Sequence, residues 1–121
     1  WMDSTTNPPT NGVYIEYNPA VSSKLQFICR SAGTQTAISS AYTAAPGAIR
    51  QMKIEWMANP RCAVFGVYEV PNNIFETPVK ITTNLPVSTI GMSLVFQVIT
   101  TAAVAKTLFV YDVKTSHLTE G

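Results

Sequence analysis

The chain has 121 residues, of which 46% are hydrophobic and 12% charged, with a formal net charge of +1 at pH 7. That apolar share excludes a disordered chain, and the length suits one domain with a real core. So small and dispersed a positive charge gives no electrostatic basis for binding nucleic acid or an anionic membrane surface, and no apolar run approaches the ~20 residues of a bilayer span.

The chain opens on "WMD", and Trp1-Met2-Asp3 reads as the end of a strand. Strand-like runs follow in order: "GVYIEY", "KLQFICRSA", "QTAISSAY", "IRQMKIEWMA", "CAVFGVYE", "TPVKITT", "GMSLVFQVIT" and "KTLFVYDVKT". Between them lie segments rich in Pro, Gly, Asn, Ser and Thr, such as "NPPTN", "AGT", "NPR" and "TNLP", which favour turns. The one helix candidate, "SSAYTAAPGAI", is cut short by Pro46-Gly47. The pattern predicts an all-β chain, an antiparallel sandwich or barrel.

Period-two alternation assigns faces. In "IRQMKIEWMA", Met52, Ile54 and Trp56 alternate with Gln51, Lys53 and Glu55, so the first set is expected in the core and the second in water. "GMSLVFQVIT" is apolar on both faces, as a central or covered strand would be. Pairing Ile15 with Phe27 sets Val13 against Cys29 and Tyr17 against Leu25 on the core side. Carrying that register through an "AGT" turn sets Ile28 near Ile38 and Gln26 near Ser40 on the outer side. The outer face then carries Tyr14, Glu16, Gln26, Arg30, Ser40 and Tyr42, a mixture of aromatic rings and hydrogen-bonding groups suited to a sugar.

Catalytic and metal-binding patterns are sparse. His117 is the one histidine, and its segment has no nucleophile elbow or oxyanion loop beside it. A surface position is expected for it. Asp3, Glu16, Glu55, Glu69, Glu76 and Asp112 stand apart, without the alternating acidic cluster of a β-sandwich glucanase. Asp112, amid Leu108, Phe109, Val110 and Tyr111, reads as a half-buried structural carboxylate. Cys29 and Cys62 are too few and too far apart for a metal motif; each falls in a strand, as two buried thiols or as one cross-strand disulfide. Neither a metal nor a cofactor is expected.

The succession "NGVYIEYN", "ICRSAGTQTA", "PGAIRQMKIEW", "VKITTNLP" and "AKTLFVYDVKT" resembles, to about residue 115, the order and spacing of motifs in a family of bacteriophage tail proteins. These have concanavalin A-like (laminin-G-like) jelly-roll domains. The resemblance implies a jelly-roll β-sandwich over residues 1–121, or the C-terminal portion of one, with further strands before "WMD". It also implies a virion setting, in a tail or appendage assembled in the host cytoplasm, and a homo-oligomer such as a trimer. Calcium-site carboxylates of the legume-lectin kind are not present in the sequence. The expected function is noncatalytic recognition of a host-surface glycan or polysaccharide. A purely structural module contacting other chains of the same assembly is the alternative, and a fragment of a glycan-cleaving enzyme a third.

Overall fold

The computed structural model describes residues 1–6, 8–43, 50–70, 73–87, 89–97 and 113, and of Tyr42 the backbone alone. Among them are seven strands and no helix. β1 (Gly12–Glu16), β2 (Lys24–Ser31) and β3 (Thr34–Thr43) form an antiparallel sheet in that order. β4 (Arg50–Ala58), β5 (Arg61–Glu69), β6 (Ile74–Phe75) and β7 (Val79–Ile81) form a second antiparallel sheet. β5 pairs with β4 along one edge and with β6 and then β7 along the other. The predicted all-β, antiparallel class is observed.

One core cluster draws on both sheets: Val13, Leu25, Phe27 and Cys29 from the first, Ala63, Phe65, Val67 and Ile81 from the second. The Phe27 and Phe65 rings stack between the sheets, their centroids 5.1 Å apart. Two sheets packed face to face through alternate residues are the architecture of a β-sandwich. Alternation selects the members: Ala63, Phe65 and Val67 point inward from β5, while Val64, Gly66 and Tyr68 point away.

The predicted register of β1 on β2 is observed, with Val13 opposite Cys29 and Ile15 opposite Phe27; Tyr17 lies beyond the end of β1, exposed. From β2 to β3 the register differs by one residue from the expectation: Gln26 faces Ser39, Phe27 faces Ile38 and Ile28 faces Ala37. The turn is the cause. Ser31 pairs with Thr34, so the loop is only Ala32-Gly33, with φ of 49° and 83°. Two positive φ angles in a two-residue loop make a type I′ hairpin, whose twist matches that of the strands. A three-residue "AGT" loop would give the other register, and a shift of one residue exchanges the faces. Ser40 therefore turns inward.

Two further expectations are corrected, and one feature not foreseen is added. Residues 91–97, read as part of a buried strand, form none; Ser93 alone pairs, bridging to Met2, and Leu94 and Phe96 are exposed. Trp56 and Met52, assigned to the core, are 44% and 49% exposed. Every fully buried core residue of the second sheet comes from β5 or β7; β4, at the sheet's edge among the described strands, packs only its partly buried Ile54 against the core and leaves Met52 and Trp56 uncovered. Finally, β6 and β7 behave as one strand interrupted by a bulge. The register on β5 slips by one residue across Glu76-Thr77-Pro78, where proline cannot continue the ladder. The run containing Asp112, and His117, lie outside the described residues.

Trp1-Met2-Asp3 pairs as a strand would. Met2 and Ser93 exchange N–H···O bonds of 3.0 Å, and the Val13 N–H donates to the Trp1 carbonyl at 2.8 Å. Gly12 permits this approach, since a Cβ there would meet the Trp1 carbonyl oxygen at 3.0 Å and the Tyr14 ring at 3.1 Å.

The turn generates a test. Asparagine tolerates the left-handed conformation better than alanine, so Ala32→Asn is expected to raise stability, and Gly33→Ala to lower it by about 1 kcal/mol. Urea unfolding of the two variants measures both; no loss in Gly33→Ala would contradict the two-residue turn.

Candidate functional site

The outer face of the first sheet is only partly the surface expected. Tyr14, Glu16, Gln26 and Arg30 do share it. Burial pushes the Tyr14 hydroxyl above its ordinary value, the Glu16 carboxylate adds to this, and Arg30 pulls the other way. Ser39 takes the place assigned to Ser40, and the Gln26 amide donates to its hydroxyl at 2.9 Å. Arg30 donates to the Gln35 side chain at 2.9 Å. The centre of the face is closed: Gln26 is 8% exposed and Ile28 only 2%. Gln26 with Ser39 and Arg30 with Gln35 bond pairwise, and little of Gln26 is left to meet a ligand. Tyr42 lies in β3, but its side chain is outside the described set.

The β3 side of the sandwich is held by polar ties. The Ser40 hydroxyl and the Ala41 N–H each donate to a different oxygen of the Glu76 carboxylate, both at 2.6 Å. Further along, the Thr36 hydroxyl meets that of Thr83 at 2.5 Å and accepts from the Asn84 amide at 2.9 Å. The bulge after β6 makes the first tie possible. It turns Glu76 inward while its N–H still reaches the Val67 carbonyl at 3.0 Å. Beside Glu76 lies an open recess of about 540 Å³, lined by Lys24, Ser39, Ser40, Phe75 and Thr77 among others. Phe75 is 73% exposed, its ring stacked on Tyr68 at 4.2 Å.

The opposite side is apolar and open. A recess of about 330 Å³ lies between the β1 edge and the β4 edge, lined by Trp1, Val13, Ile54, Trp56, Pro86 and Met92 among others. Trp1 is 40% exposed, and Val87 and Leu94 are exposed nearby in sequence. Arg61 fixes one wall: its guanidinium lies 5.3 Å over the Trp56 ring and donates to the Pro86 carbonyl. Such a cation–π contact contributes about 0.5–1 kcal/mol at an exposed site, enough to bias the indole towards this orientation. Asn11 orders the neighbouring end of the first sheet. It donates to the Asp3 carboxylate at 2.9 Å and accepts from the Ala32 N–H at 3.0 Å.

Cys29 and Cys62 are both buried and unbonded, and burial pushes the Cys29 thiol up to about 12, away from reactivity. Among the described residues no group of three or more His, Cys, Asp or Glu could hold a metal. Searches against protein-family models, curated proteins and solved structures find no match for this chain.

Asn11 is a polar side chain that the sequence pattern did not single out, and Glu76, which stands apart from the other carboxylates in sequence, is tied across the sheets. Glu76 meets its partner 36 residues away in the other sheet, and no local spacing records such a contact. Glu76→Ala is expected to cost about 1–3 kcal/mol, because it leaves the inward Ser40 hydroxyl without this acceptor. Chemical denaturation reads the loss; stability unchanged within error would show that the tie is decorative.

Proposed function

We propose that this chain is a noncatalytic assembly module, the structural alternative raised by its sequence, which acts by docking an apolar sandwich edge against another polypeptide. The observation that carries this reading is the partly uncovered inner face of β4, where Ile54 packs against the core but the residues on either side of it do not. Met52 and Trp56 occupy core positions by alternation, yet they are 49% and 44% exposed beside an apolar recess. Contiguous apolar surface of this kind, on a sheet edge, marks an interaction site. The resemblance to phage tail domains supports a virion fibre or appendage as the setting. The concanavalin A-like jelly-roll form belongs to the same proposal and rests on the order of the sequence motifs.

A second reading is favoured by a different observation. The recess of Lys24, Ser39 and Glu76 joins an ammonium, a hydroxyl and a carboxylate next to an exposed aromatic residue, Phe75. Those groups suit a host-surface glycan, the function first expected from the sequence.

Native mass spectrometry of the purified protein, alone and with the other chains of its particle, separates the two. The assembly reading expects complexes that are lost in Met52→Ser/Trp56→Ser. A chain that stays monomeric in every mixture and binds polysaccharide through Lys24 would overturn it.

A further inference from the structure

We propose that the partner at the β4 edge is a second copy of this chain, bound strand to strand about a two-fold axis midway between the Ile54 residues of the two copies. This rests on the assembly reading and deepens it by naming the occupant. β4 is a nine-residue strand whose one neighbour among the described strands is β5, so its other backbone edge has no strand against it there. It contains no proline, and its register on β5 runs without a slip from Arg50 to Ala58. A long regular edge with apolar side chains is a template for antiparallel pairing unless charge forbids it.

Charge does not forbid it; it selects the register. Two identical strands pairing antiparallel place residue i opposite a residue whose number makes a fixed sum with it. To keep apolar residues on one continuous face, that sum must be even. Centring the pair on Lys53 puts Lys53 opposite itself, and centring it on Glu55 puts Glu55 opposite itself, both repulsive. Centring it on Ile54 sets Lys53 opposite Glu55 of the second copy, twice by symmetry. Ile54 is also the midpoint of β4, so this register pairs the whole strand, Arg50–Ala58. On the inner face, Met52 then meets Trp56 of the second copy, a thioether against an indole, and Ile54 meets Ile54. Within one chain Lys53 and Glu55 already sit at 2.5 Å on the outer face, both well exposed. The same two side chains are thus positioned to meet their counterparts across the axis. The contact is isologous and closes at two chains, unlike the three-fold association expected from the sequence.

The test uses charge reversal and mixing, read by sedimentation velocity over a concentration series, with circular dichroism to confirm folding. The wild-type chain is expected to dimerise. Lys53→Glu places two like-charged pairs across the axis, as does Glu55→Lys, and each is expected to weaken dimerisation about tenfold or more. Mixed in equal amounts, the two variants are expected to pair with each other, because every cross-axis pair is then complementary. An ion pair acting only within the chain cannot be restored by mixing.

A wild-type chain that stays monomeric at every concentration would overturn the proposal. So would single variants that dimerise like the wild type; the assembly reading would then stand, with its contact on another face. Variants that both fail to dimerise and do not recover on mixing would also overturn the register argued here.

Discussion

The structure depends on one narrow contact between two sheets. β2 and β5 meet where Phe27 stacks on Phe65, and the rest of the core, Val13, Leu25, Cys29, Ala63, Val67 and Ile81, gathers around that pair. Burying two phenyl rings contributes several kcal/mol, with about 0.5–1.5 kcal/mol more from the stacked geometry. For a domain of this size that is a large share of the net stability. Because the core is centred on these two strands, whatever lies to either side of them must be managed by other means.

The two sides are managed differently. On the β3 side the chain uses polar ties, with Glu76 receiving Ser40 and Ala41, and Thr36 meeting Thr83 and Asn84. These are directional, and they join the two sheets on that side without apolar burial. On the β4 side no such tie covers Met52 and Trp56 among the described residues, and Arg61 only favours one placement of the indole. An edge that is apolar and regular, with its indole biased towards one placement, suits a partner at a reduced ordering cost on binding. The asymmetry links fold to proposed function: polar ties join the two sheets on one side, and the proposal gives the other side to a partner.

Much of this was legible in the sequence. Alternation located β1 to β5 closely, and the pairing of Ile15 with Phe27 followed from keeping apolar residues on one side. The faces of β3 were not legible, because they hang on whether Ala32-Gly33 or Ala32-Gly33-Thr34 makes the turn, and alanine gives no sign that it adopts a positive φ. That single residue moved Ser40 from the expected ligand face to the inter-sheet tie. Trp56 was misplaced for another reason: alternation reports which face a residue occupies, while burial depends on whether the opposing sheet is wide enough to cover it. The apolar run at 91–97 shows the same limit, for hydrophobicity alone does not supply a strand partner. Glu76 carried no local signal, since its role exists only once the two sheets are brought together.

The most direct test is residue-resolved amide hydrogen exchange on a dilute sample, where the chain is monomeric. If the core is centred on β2 and β5, the amides of Phe27 and Phe65 exchange slowest of all. Those β4 amides that do not bond to β5 then exchange nearly as fast as loop amides. Protection of those β4 amides equal to that of β2 and β5 in the monomer would contradict the account, because β4 would then be an interior strand.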